Sequence, residues 1–90
     1  MLRLQDKAAI VTGSSSGIGL AIVKVFLREG ATVLGADRTP PPAEIASAAG
    51  FRALELDLAA PGAADRVVAA AREDHGRVDV VVSNAGIGDA

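Results

Sequence analysis

The residues best suited to chemistry lie early, in Thr12-Gly13-Ser14-Ser15-Ser16-Gly17-Ile18-Gly19. Three glycines spaced Gly-x-x-x-Gly-x-Gly, with serines between the first two, suit a turn that admits a bulky group close to the backbone. Glycine reaches positive φ and carries no Cβ to block the approach. A helix starting near Gly17 would aim unpaired N–H groups and partial positive charge into that space. Such an arrangement holds a pyrophosphate. Gly13, Ser15, Ser16, Gly17, Ile18 and Gly19 are therefore the first candidate binding residues. Glycine is also needed for tight strand-to-helix turns on geometry alone, so the motif gains meaning from what surrounds it.

Asp37 lies eighteen positions beyond Gly19, at the end of the next apolar run. There a carboxylate can accept hydrogen bonds from both hydroxyls of an adenosine ribose, and glycine turn and acid together match the dinucleotide fingerprint. An ionised Asp37 would repel a ribose 2′-phosphate by a few kcal/mol at contact distance, which favours NAD over NADP. Arg38 argues the other way, because a guanidinium pairs with phosphate; a solvated surface arginine is the simpler reading. Asp57-Leu58 would border an adenine, the carboxylate accepting from its exocyclic amine and Leu58 offering an apolar wall, with a turn aspartate as the alternative. Asn84-Ala85-Gly86 would let backbone approach the same nucleoside. His75, the only histidine, has no second ligand or nucleophile nearby and reads as a helix end, while Glu73-Asp74 reads as a solvated face.

The elements that must position these residues follow from hydropathy. Ala8-Ala9-Ile10-Val11 is a short apolar run that suits a strand buried on both faces. Ile18, Ala21, Ile22, Val25 and Phe26 recur at helical spacing opposite Lys24, Arg28 and Glu29, and Gly30 is placed to end that helix. A second buried strand, Ala31–Ala36, closes with Asp37. Thr39-Pro40-Pro41-Pro42 forbids a helix; it is more simply a connection than a polyproline ligand. A short helix over Ala43–Ala49 ends at Gly50, and Phe51–Leu56 alternates as a third strand, a candidate edge. Pro61-Gly62 opens a helix with Ala64, Val67, Val68 and Ala71 on one face, Gly76 stops it, and Val78–Val82 is the fourth strand. Right-handed crossovers give an α/β fold, β-α-β-α-β-α-β, with a parallel sheet ordered 3-2-1-4. Every candidate residue then follows the carboxyl end of a strand, where such sheets bind ligands.

Composition narrows the classes. Ninety residues carry net charge −2 and no cysteine, which argues against a basic nucleic-acid surface, a disulfide framework or cysteine-ligated zinc. No apolar run approaches a bilayer span, and residues 1–7 do not read as a signal peptide. A cytoplasmic protein without a metal site, a nucleic-acid partner or a membrane partner is expected.

Thr12-Gly13-x-x-x-Gly17-Ile18-Gly19, Asp37, Asp57-Leu58 and Asn84-Ala85-Gly86, in this β/α order, resemble the N-terminal part of short-chain dehydrogenases/reductases, over essentially the whole chain. The resemblance implies a truncated Rossmann-type doubly wound sheet in which residues 1–90 form the N-terminal half of an NAD(P)-binding domain and the substrate half is absent. It implies that Gly13, Ser15, Ser16, Ile18, Asp37, Asp57, Leu58, Asn84, Ala85 and Gly86 line a nicotinamide dinucleotide site. NADP-preferring members often carry a basic residue just before the second glycine; here it is Ser16, again favouring NAD. Ser83 stands where the family often has a first asparagine. Family catalysis uses a serine, an asparagine and Tyr-x-x-x-Lys beyond the Asn-Ala-Gly turn. No tyrosine is present here, so no catalytic residue carries over.

Two readings follow. One is the NAD-binding portion of an oxidoreductase moving hydride between the cofactor and an alcohol or carbonyl of a small-molecule substrate. The other is a non-catalytic nucleotide- or partner-binding remnant. A flavin or methyl-donor site fits the glycine spacing less well. In either case the fourth strand would present an unpaired apolar edge, which predicts self-association.

Overall fold

The computed structural model describes residues 3–84. Four strands, β1 (Ala8–Thr12), β2 (Thr32–Asp37), β3 (Phe51–Glu55) and β4 (Val80–Val82), alternate with α1 (Gly17–Arg28), α2 (Ala43–Ala46) and α3 (Ala63–His75). The sheet is parallel throughout, ordered β3-β2-β1-β4, as the crossover rule requires. Ile10 is the pivot of the register, opposite Leu34 on one side and Val81 on the other.

The two central strands bury both faces, which explains their unbroken apolar runs. On one face Ala9, Val11 and Val33 pack with Val23 of α1 and Ile45 of α2. On the other, Ile10, Leu34 and Ala36 pack with Ala63, Val67, Ala70 and Ala71 of α3. Ile22 and Phe26 of α1 and Val67 and Ala71 of α3 pack inward as their hydropathy suggests, but both helices sit turned from the rest of the expected face. In α1 the buried residues are Gly19 and Val23, while Ile18, Ala21 and Val25 are exposed. The cause is Gly19: a Cβ there would run into the Gly13 carbonyl and come within 2.6 Å of the Asn84 amide nitrogen. With no side chain, the helix turns this position toward β1, and Val23, one turn on, follows it inward. In α3 the buried set is Ala63, Val67, Ala70 and Ala71, leaving Ala64 and Val68 exposed. Small alanines let that helix lie close to the sheet.

Element ends have local causes. Helix α2 is one turn rather than the expected run to Ala49. The Ser47 hydroxyl donates to the Ala43 carbonyl (3.0 Å), and tight turns then carry the chain through Gly50 into β3. Strand β4 starts at Val80 rather than Val78, because a side chain replaces the ladder at Asp79. Its carboxylate accepts the Ala8 N–H (2.9 Å) while its own N–H donates to the Ala8 carbonyl (2.8 Å). The Arg77 guanidinium grips the same carboxylate (2.7 Å). Arg77 first, and the Ala8 amide second, hold the Asp79 carboxyl below the usual carboxylate range. Gly62 and Gly76, both at positive φ, bracket α3 where the sequence places its start and stop.

Candidate functional site

Because all strands run in parallel, Gly13, Asp57 and Asn84, just past strand ends, and Asp37, the last residue of β2, lie on one rim of the sheet. The glycine loop leaves β1 with Gly13 (φ 66) and enters α1 at Gly17 (φ 58). Both values lie in the left-handed region where a Cβ is costly. The Gly13 N–H donates to the Ala36 carbonyl (2.8 Å), fixing the start of the loop to β2. Asn84 fixes it from the other side: its side-chain amide donates to the Gly13 carbonyl (3.2 Å) and its N–H donates to the Thr12 hydroxyl (2.8 Å). That hydroxyl in turn reaches the Val82 carbonyl at 3.4 Å.

Asp37 joins the loop directly. One carboxylate oxygen accepts the Ser15 N–H (3.0 Å), the other accepts the Thr39 N–H (3.0 Å), and the Ser15 hydroxyl donates to the Thr39 carbonyl (2.5 Å). Ser14 and Ser15 are buried, whereas Ser16, Gly17 and Ile18 face outward. The outward side suits an anion. Ser16 occupies the N-cap in extended conformation without capping the helix through its side chain, and no acid stands in the first turn. The first-turn N–H groups thus meet neither a side-chain cap nor a like-charged neighbour of the anion. A Cβ at Gly17 would meet nothing within 4 Å. These residues fit a pyrophosphate cradle.

The remaining candidates are placed differently. Asp57 is exposed, and its carboxylate accepts the Ala59 N–H (2.9 Å) in a local turn. Leu58 packs on the α3 side and lines a cleft of about 370 Å³ with Ile10, Thr12, Val68, Val81 and Ser83. Leu58 forms part of the apolar wall of that cleft. Ala85 and Gly86 lie outside the described residues. His75 is half-buried at the end of α3, its Nε2 without a hydrogen-bond partner, and is not joined to the rim. Among the described residues, no three of His, Cys, Asp or Glu gather to hold a metal, and no helix is long and apolar enough to cross a membrane.

Two contributors, Thr39 and Gly35, escaped the motif reading, and Thr12 stood in the motif without a role. Thr12 links two strand ends through its hydroxyl, Thr39 completes the tie to Asp37, and Gly35 makes room for the buried Ser14. A Cβ at Gly35 would lie 2.6 Å from the Ser14 hydroxyl oxygen and 2.7 Å from the Phe51 ring. A glycine inside a strand was the available signal for that close approach. Nothing in sequence spacing marks Thr39 in the same way, or shows what the Thr12 hydroxyl holds.

A parallel sheet in this order, with a glycine loop where the strand order reverses, is a Rossmann-type fold. The chain belongs to the short-chain dehydrogenase family, whose model matches residues 7–90. It is 38% identical over 90 residues to the short chain dehydrogenase ausX of Aspergillus calidoustus, covering 99% of this chain and 35% of that protein. It is 40% identical over 93 residues to the galactitol 2-dehydrogenase of Agrobacterium fabrum, covering 98% of this chain and 36% of the relative. Among solved structures, the apo glucose dehydrogenase of Caenorhabditis elegans superposes with a TM-score of 0.81 at 31% identity, covering 94% of this chain and 40% of that one. The chain thus spans little more than a third of the length of these curated relatives. The family typically uses nicotinamide cofactors, NAD or NADP, and acts on small molecules.

Proposed function

We propose that these residues form the NAD-binding portion of an oxidoreductase that moves hydride between a nicotinamide cofactor and an alcohol or carbonyl carbon. The observation that carries the reading is the juxtaposition of the outward-facing α1 N-terminus with Asp37, linked through Ser15 at the carboxyl ends of β1 and β2. The first-turn amides and the loop backbone would take the pyrophosphate, and the Asp37 carboxylate the adenosine ribose. Leu58, with Asp57 beside it, would border the adenine, and Asn84-Ala85-Gly86 would flank the nucleoside. The nicotinamide supplies the hydride chemistry; these residues hold and orient it. The negative charge of Asp37 and a serine at position 16 favour NAD over NADP; a cytoplasmic setting is part of the same proposal, on the ground that no apolar run approaches a bilayer span.

For the 90 residues taken alone, the absence of tyrosine favours a second reading, a nucleotide- or partner-binding unit without turnover. No phenol is available as the acid or base of hydride transfer. Self-association belongs to the same reading, since β4 pairs only with β1 among the described residues and Val81 is 61% exposed. Calorimetric titration of the chain with NAD, then NADP, alongside Asp37→Ala, tests the proposal. Saturable NAD binding, weaker for NADP and lost in the variant, is expected. A folded chain with no affinity for either nucleotide overturns it.

A further inference from the structure

Asp37 has work to do before any ligand arrives. Its two carboxylate oxygens accept two backbone N–H groups from different segments. Ser15 lies in the glycine loop 22 residues earlier in the chain, and Thr39 lies in the connection leading to α2. The Ser15 hydroxyl closes the ring on the Thr39 carbonyl. Ser15 is only 8% exposed, so water competes poorly for its two bonds, whereas the Thr39 N–H bond is exposed; bonds from N–H to an ionised acceptor are the stronger kind.

We infer that Asp37 is a positioning residue: its carboxylate latches the glycine loop to the end of β2 and sets the loop geometry on which anion binding depends. An ionised carboxylate offers about four lone-pair sites. Two are engaged by Ser15 and Thr39, and two are left for a donor such as a ribose diol. One side chain therefore couples the shape of the phosphate loop to recognition of the sugar. Removing it costs affinity even for a nucleotide that has no hydroxyl to offer it. The ligand arm rests on the nucleotide reading above, whereas the latch itself does not.

The experiment has two arms on the full 90-residue chain. In the ligand-free arm, amide hydrogen exchange is followed by NMR in the unsubstituted chain, Asp37→Ala and Asp37→Asn. Asp37→Ala is expected to speed exchange at the Ser15 and Thr39 amides by at least about tenfold, the scale of one lost hydrogen bond to a charged group. Val11 and Leu34 in the sheet should keep their rates. Asp37→Asn, close in shape but with one acceptor oxygen, should release one of the two amides and supplies the answer should the alanine variant not fold. Unchanged exchange at both amides in either folded variant overturns the latch.

In the second arm, ADP and 2′,3′-dideoxy-ADP are titrated into the unsubstituted chain and Asp37→Ala. The dideoxy nucleotide should lose at least about fivefold in affinity on substitution, the scale of one ordinary hydrogen bond of about 1 kcal/mol. Equal dideoxy-ADP affinity for both chains would mean that Asp37 acts on the sugar alone, which overturns the positioning role. Failure of both nucleotides to bind the unsubstituted chain counts against the nucleotide reading, and the exchange arm then decides the latch by itself.

Discussion

The rim where β1 and β2 end and the flank formed by β4 and α3 are built on opposite terms. On the rim, polar groups meet partners within the chain: Gly13 is held from β2 and from Asn84, and Ser15 from Asp37. On the flank, Val81 is 61% and Val68 40% exposed around an apolar cleft. The rim is organised from within these residues, which suits a ligand that demands fixed geometry. The flank offers apolar surface without a matching cover among the described residues, which suits contact with further polypeptide.

The sharpest way to break this contrast is to disturb the rim at its tightest point. Gly19→Ala forces a methyl group against the Gly13 carbonyl, a backbone atom that cannot move aside cheaply. A loss of about 3 kcal/mol is expected, at the upper end of overpacking costs, read from urea unfolding. Gly35→Ala tests the same rim from beneath. Its neighbours, the Ser14 hydroxyl and the Phe51 ring, are side chains that can give way, so about 1–2 kcal/mol is expected.

A flank substitution should behave in the reverse manner. Val81→Lys is expected to change unfolding stability by no more than about 0.5 kcal/mol, as exposed sites do, while lowering self-association in sedimentation runs by charging an edge strand. A large stability loss without any change in association would show that the flank is packed, and the contrast would fail.

The smallest effect belongs to the far end of the strands, where Arg77 and Ala8 hold Asp79 ionised. Its carboxyl lies below the ordinary value of 3.8. The contribution is therefore fully present above that value and is lost as pH falls through the lower folded pKa. The stability difference between the unsubstituted chain and Asp79→Asn should shrink below about pH 3.8 and stay constant near neutrality. A difference that grows on acidification would contradict the sign.

The same contrast shows what could be read in advance. Strand order and the parallel rim were legible, because apolar runs, glycine punctuation and crossover handedness are local or topological rules. Helix rotation was not. Ile18, Ala21 and Val25 look like a core stripe, yet the space left by Gly19 outweighs their hydropathy and turns them outward. Alanine hid the buried face of α3 in a similar way, since it scores weakly apolar wherever it falls. The partners of Asp37 were also out of reach, because a ring closing through Ser15 and Thr39 depends on where two backbones pass each other. For Asp57 the sequence left two readings open, an adenine contact and a turn aspartate, and the bond it makes here is a local turn.

The bond from Asn84 to the Gly13 carbonyl spans 71 residues. Parallel pairing over such separations carries a large loop-closure entropy and forms slowly. The glycine loop is therefore an early segment of the chain whose final shape waits for a late one. A lesion in β4 is expected to slow the refolding step that completes the loop, to the extent that β4 pairing is formed in the folding transition state. Stopped-flow refolding could thus time the assembly of the site with a reporter placed far from it in sequence.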